Sequence, residues 1–258
     1  VPAPAAVNQA IKDILDEEDS TFVHGYMSNS GYEDVRKAVA DSLNNRFGTH
    51  YDESNLVMTV GAAGGMNVIF KTLLNPGDEV IAFAPYFGEY RAYVTNYDGV
   101  LKVVSPNTET FQPNLEAFEE LLTEKTKAVI VNTPNNPTGE VYSDEQLAAI
   151  AAIAEKHDLL VISDEVYNTL LYTGAKFRSI AELPGMKART VVVNSFSKSY
   201  AMTGWRIGYA AGPADIIDRM VKCQENFNAC ANAPGQYAAA IALEHPELSE
   251  QLCTVFAG

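Results

Sequence analysis

Lys198 sits in the stretch Ser195-Phe196-Ser197-Lys198-Ser199-Tyr200-Ala201-Met202-Thr203-Gly204-Trp205-Arg206, directly after the apolar run 190–194. A lysine taken at random is a solvated surface group. Around this one, the hydroxyls of Ser195, Ser197, Ser199 and Thr203 suit a phosphate, and Tyr200, Met202 and Trp205 supply apolar walls. A lysine amine desolvated at a sheet edge becomes a nucleophile able to form a Schiff base with a carbonyl. Arg206 offers a planar two-pronged donor for a phosphate, with a surface ion pair as its ordinary alternative.

Three further segments carry polar or glycine-rich chemistry. Gly61-Ala62-Ala63-Gly64-Gly65 follows an apolar run and opens a helical pattern. A helix N-terminus built of small residues presents backbone N–H groups to an anion, although the same residues also make an ordinary tight turn. The pattern is neither of the common nucleotide loops. Thr133-Pro134-Asn135-Asn136-Pro137-Thr138-Gly139 follows a second run, and Asp164 ends a third, Leu159-Leu160-Val161-Ile162-Ser163. Asp164 is either a buried carboxylate with a partner or the N-cap of a following helix.

These segments need a scaffold that brings them together. Seven short, β-branched apolar runs occur at 56–60, 79–84, 100–104, 128–132, 159–164, 190–194 and 207–211. Helical patterns separate most of them, among them 65–74, 115–122, 144–156 and 214–223. Residues 1–50 read as helices over 5–15 and 32–46 joined by a Gly/Ser/Asn-rich loop. Alternation of this kind predicts an α/β fold: a mostly parallel seven-stranded sheet covered by helices on both faces. The last run follows a loop-like stretch, so its strand is expected to run antiparallel. Ligands of open α/β sheets bind at the carboxyl ends of the strands, where all four polar segments fall.

Composition narrows the function classes. A chain of 258 residues in one domain buries enough surface to need no staples. Three cysteines without a CxxC pair argue against a disulfide framework and a zinc site, and for a reducing, cytoplasmic compartment. A formal charge of −15 disfavours nucleic acid and anionic membranes as partners. The four histidines show no metal-ligand spacing, and the acidic run Asp16-Glu17-Glu18-Asp19 reads as a solvated helix end rather than a calcium loop. No apolar run reaches membrane-spanning length, and Val1-Pro2-Ala3-Pro4 has no signal-peptide pattern. With no initiator methionine and an end at Phe256-Ala257-Gly258, the chain reads as clipped at both ends.

The segment from Ser195 through Lys198 to Arg206, continued by Ile207-Gly208-Tyr209, closely resembles the cofactor-attachment signature of class I/II aminotransferases, pyridoxal-phosphate (PLP) enzymes of fold type I. Asn132 through Gly139 resembles that family's asparagine loop. Ser163-Asp164-Glu165-Val166-Tyr167 is similar to its pyridine-nitrogen segment, and Tyr26, Gly31 and Arg36 to its N-terminal Tyr-x4-Gly-x4-Arg element. The motifs stand in family order from about Tyr26 to Tyr209.

The resemblance implies that residues 1–258 are the PLP-binding large domain, without the family's N-terminal arm and C-terminal small domain. It implies that Lys198 forms the Schiff base and moves the α-proton, that Asp164 pairs with the pyridine N–H, and that Tyr167 and Asn136 bond the phenolic oxygen. Phe87 would stack on the ring, and the N–H groups of Ala62 and Ala63 with Ser195 and Arg206 would hold the phosphate. The tyrosine matching Tyr26 reaches the neighbouring subunit's phosphate in this family, which implies a homodimer with shared sites. Transamination between an α-amino acid and a 2-oxo acid is the activity implied. A carbon–sulfur β-lyase uses the same scaffold and lysine, and a non-catalytic PLP-binding sensor domain is a third reading. Sensors of that kind carry a basic helix-turn-helix segment before the domain, and none is seen here. The turn Ala62-Ala63-Gly64-Gly65 departs from the larger or hydroxylated residues of many relatives.

Overall fold

The computed structural model describes residues 3–17, 19–172 and 174–257. Val1, Pro2 and Gly258 of the two terminal readings, and Glu18 of the acidic run, lie outside the described residues.

All seven apolar runs are strands: β1 (Leu56–Thr59), β2 (Glu79–Phe83), β3 (Val100–Val104), β4 (Thr126–Asn132), β5 (Leu160–Asp164), β6 (Thr190–Ser195) and β7 (Gly208–Ala211). They form one sheet in the order β1-β7-β6-β5-β4-β2-β3. β7 is antiparallel to both its neighbours, and the other pairs are parallel. The reversal follows from the connection between β6 and β7. It holds one helical turn, Phe196–Ser199, and a 3-10 turn, Thr203–Trp205, too little to cross over and re-enter the sheet in parallel.

Every residue of β1, β6 and β7 is buried, which is why these strands read as unbroken apolar runs rather than as alternations. The alternation is nevertheless present in what they touch. Leu56 and Met58 pack into one apolar layer with Val35, Val39 and Phe196, while Val57 points into the opposite layer with Ile69, Phe70 and Tyr90.

The helices obey their own period. Asp144–Lys156 buries Leu147, Ile150, Ala151 and Ala154 along one stripe. Ser143 caps it by accepting from the Gln146 N–H at 3.2 Å, and Asp144 and Glu145 sit in its positive first turn. Gly61–Leu73 begins at the end of β1, four residues before the sequence pattern places it. Among the helices that the sequence pattern does not show are Ser20–His24, Glu89–Thr95 and Ala233–Glu244. The first two are too short to show a period. The third buries mainly small residues, Ala238, Ala239 and Ala242, which leave no contrasting stripe.

Candidate active site

Nine of the ten candidate residues line a single cavity of about 250 Å³: Ala62, Ala63, Phe87, Asn136, Asp164, Tyr167, Ser195, Lys198 and Arg206. It opens at the carboxyl ends of β4, β5 and β6, and Asn132 and Asp164 are register partners there. Tyr26 is the exception. It is fully exposed and borders a different hollow with Phe22, Tyr32 and Arg36.

The asparagine loop is held by its own side chains. The Asn136 N–H donates to Asn132 Oδ1 at 2.8 Å, and Asn132 Nδ2 donates to the Asp164 carbonyl at 3.1 Å. Asn135 Nδ2 reaches the Pro85 carbonyl at 3.3 Å, tying this loop to the segment that carries Phe87. Asn136 Nδ2 then lies 3.5 Å from the Tyr167 hydroxyl.

Asp164 is 7% exposed. No helix follows it, only turns, so the N-cap alternative falls away, and the Val166 N–H is a long 3.4 Å from its Oδ1. Its strong partner is the Tyr90 hydroxyl, which donates to Oδ2 at 2.5 Å. Burial raises the Asp164 pKa, while the bonds from Tyr90 and Val166 oppose the rise. Tyr90 is itself pushed well above the ordinary tyrosine range, first by burial and then by the Asp164 charge, and so stays a donor. Sequence reasoning missed Tyr90. Its signal was the spacing of three from Phe87, against which it packs edge-on at 5.6 Å.

At the other end the backbone dominates. Gly61, with φ +67°, lies against Arg206, and a Cβ there would come within 2.6 Å of the guanidinium. A Cβ on Gly208 would meet the Asn194 carbonyl at 2.6 Å and the Ala62 nitrogen at 3.0 Å. The N–H groups of Ala62 and Ala63 belong to the first turn of Gly61–Leu73, where no intrahelical acceptor exists. Arg206 is left-handed at φ 53°, an uncommon conformation for a residue with a side chain. Its Nη1 donates to the Thr203 carbonyl at 3.0 Å.

Two readings of the lysine segment need correction. Tyr200 and Met202 are not walls of the site: both are buried in the apolar layer around Phe196 and Ile207, where they anchor the segment. Lys198 accordingly is exposed rather than desolvated in this chain, with its Nζ 5.7 Å from the centre of the Tyr167 ring. The hydroxyls divide as well. Ser195, Ser197 and Thr203 line the cavity, whereas Ser199 takes a hydrogen bond from Thr169 at 2.9 Å.

The residues present fit PLP. A buried carboxylate with no ion-pair partner among the described residues suits a protonated ring nitrogen. Free N–H groups and a guanidinium suit a phosphate, and Lys198 supplies an amine on the same cavity.

Known proteins fit the same picture. The family model for aminotransferase class I and II matches residues 2–255. A putative aminotransferase of Bacillus subtilis, YugH, is 44% identical over 83% of this chain and 56% of its own length. An aspartate aminotransferase of Bacillus sp. YM-2 is 37% identical over 92% of this chain and 62% of its own. The chain therefore spans less than two thirds of these curated relatives. The solved structure of an aromatic aminotransferase from Pyrococcus horikoshii superposes with a TM-score of 0.93 at 36% identity, covering 100% of this chain and 68% of that one. Matched by the family model over nearly its whole length and by the superposed fold, this chain belongs to the class I and II aminotransferases.

Proposed function

We propose that the chain is the cofactor-binding large domain of a PLP-dependent aminotransferase that exchanges amino groups between an α-amino acid and a 2-oxo acid. The observation that carries the reading is the meeting of Lys198, buried Asp164 and the N-terminus of Gly61–Leu73 on one cavity. Bound PLP supplies an electron sink for the charge left when a bond to the substrate Cα is broken.

The chain's own residues do the rest. Lys198 would hold the cofactor's carbonyl carbon until a substrate amine displaces it, and its freed amine would then be placed to take the α-proton. Asp164, whose anionic form the Tyr90 O–H favours against its burial, would hold the ring nitrogen in its protonated form. Tyr167 and Asn136 fix the phenolic oxygen, and Phe87 covers the ring. The N–H groups of Ala62 and Ala63 with Ser195 and Arg206 hold the phosphate. We assign Tyr26 to the neighbouring subunit's phosphate, and the assembly to a homodimer with shared sites; its full exposure in the single chain supports this. Among the described residues Cys223, Cys230 and Cys253 are free thiols, which supports a cytoplasmic setting.

The test is covalent. Protein incubated with PLP is reduced with borohydride and digested, and the labelled peptide is sequenced. The label is expected on Lys198, and a label on another lysine overturns the assignment. Full-length protein offered a panel of amino acids with 2-oxoglutarate should then release glutamate.

A further inference from the structure

Glu165 follows Asp164, yet it serves none of the roles above. It is 1% exposed and turns away from the cavity. Tyr51 and Tyr209, which feel its charge, lie in the apolar layer opposite the one that holds Tyr90. A carboxylate at such depth is costly unless its bonds are needed. Its Oε1 accepts two hydroxyls, Ser163 at 2.9 Å and Ser179 at 2.6 Å. Its Oε2 is buried and has no hydrogen-bond partner among the described residues, and neither have the amide nitrogen and oxygen of buried Asn168.

The bond to Ser179 is the long-range one, joining positions fourteen apart in sequence. Ser179 is itself fixed. It is the N-cap of the 3-10 turn Ile180–Glu182, accepting from the Ala181 N–H, and its own N–H donates to Glu182 Oε1 at 2.9 Å. On the other side, the Glu165 N–H donates to the Val193 carbonyl at 2.9 Å, and its carbonyl accepts from the Asn168 N–H at 3.0 Å. Glu165 therefore sits between β6, the turn that presents Tyr167, and the capped turn that begins at Ser179. Consecutive residues at a strand end point to opposite faces. Locking the Glu165 side chain on the far face thereby sets the direction of Asp164 into the cavity and the place of Tyr167 beside Asn136.

We infer that Glu165 is a positioning residue, acting as a hydrogen-bond acceptor that ties the Asp164–Tyr167 turn to Ser179, and not as a charge. The inference rests on the cofactor reading for its effect on catalysis. The tie itself is independent of that reading.

The experiment compares full-length holoenzyme carrying Glu165→Gln, Glu165→Ala and Ser179→Ala. Glutamine keeps an acceptor oxygen at Oε1 and removes the charge, alanine removes both, and Ser179→Ala cuts the tie from its other end while the Glu165 side chain and its Ser163 bond stay in place. Hydrogen exchange of the peptide spanning 164–170 should quicken by about tenfold or more in the two alanine variants and stay within about threefold of wild type in Glu165→Gln. kcat should fall by about tenfold in the alanine variants at little-changed KM, and Glu165→Gln should restore it. Wild-type exchange in Ser179→Ala overturns the tie. A Glu165→Gln protein as impaired as Glu165→Ala overturns the acceptor role in favour of charge. Should Glu165→Ala fail to fold, Ser179→Ala against Glu165→Gln carries the same comparison. Failure of borohydride to label Lys198 in wild type, with the exchange pattern intact, sinks the cofactor reading and leaves the tie standing.

Discussion

At one end of the cavity the groups on offer are backbone N–H donors of Ala62 and Ala63, packed under glycines at 61 and 208, with an exposed Arg206 beside them. At the other end stands the carboxylate of Asp164, 7% exposed, which meets a tyrosine hydroxyl at 2.5 Å and has no ion-pair partner among the described residues. In the proposed reading the first end would hold a phosphate by helix geometry, and its side chains are small where the backbone comes close. The second end depends on one charge, whose strength is set by burial and one hydrogen bond. Substitutions should therefore be felt unequally at the two ends, severely where a side chain supplies the function and mildly where the main chain does.

The largest expected effect is at Asp164. Asp164→Asn keeps the shape and the Tyr90 contact but removes the charge that the proposed function sets against the ring nitrogen. A loss of about 4 kcal/mol in the transition state for α-proton removal lowers its rate about a thousandfold. Labelling of Lys198 should survive, since the amine and the phosphate contacts remain. Measuring α-proton exchange with both proteins saturated in PLP checks this. A mutant within threefold of wild type would erase the proposed contrast between the two ends.

Tyr90→Phe should follow at smaller size. Hydrogen bonds to charged groups contribute about 1.5–3 kcal/mol, and Asp164 keeps only the long Val166 contact without this one. The same α-proton exchange assay should show a loss of about tenfold, with cofactor affinity lowered in parallel. An unchanged rate would mean that Asp164 draws its charge state from elsewhere.

How much of this contrast was legible beforehand differs between the ends for physical reasons. Ala62, Ala63 and Arg206 belong to contiguous segments, a glycine-rich turn after a strand and a lysine signature, and local sequence exposes both. Tyr90 does not belong to such a segment. Its partner is 74 positions away, and the helix Glu89–Thr95 is too short to display a period. The strands were legible because burial on both faces leaves unbroken β-branched runs. The direction of Tyr200 and Met202 was not, because an irregular segment has no period from which to read which side chains turn inward.

The two neighbouring carboxyls provide a test in stability rather than rate. Burial pushes Glu165 up to about 7, against hydrogen bonds from Ser179 and Ser163 that pull it down. A carboxyl raised in the folded state holds a proton that the unfolded chain has already released. Its contribution is therefore fully present below the ordinary carboxyl pKa of about 4.5 and is lost as pH rises through 7, for about 3 kcal/mol in all. Asp164 is raised as well and adds loss in the same direction. Unfolding titrations between pH 4.5 and 8 should show wild type weakening with pH and Glu165→Gln weakening less. PLP should flatten the part due to Asp164, because a protonated ring nitrogen favours its charge, and leave the part due to Glu165. Equal slopes for wild type and Glu165→Gln would contradict the burial argument.

The smallest effect belongs to the phosphate end, and its smallness is the point. Ala63→Ser adds a hydroxyl to the first turn of Gly61–Leu73 without disturbing the N–H that faces the cavity. If main-chain donors and the helix terminus hold the phosphate, PLP affinity should change by less than about threefold, since one solvent-shared hydroxyl contributes little net free energy. Gly208→Ala is the matching disruption. Its Cβ would fall 2.6 Å from the Asn194 carbonyl and 2.8 Å from the Gly61 carbon, so the backbone of the cradle itself must move. Its PLP affinity should fall well beyond that of Ala63→Ser. Equilibrium titration of PLP absorbance on the two proteins decides the matter. A strong gain or loss in Ala63→Ser would show that side chains hold the phosphate, and the two ends of the cavity would then be built alike.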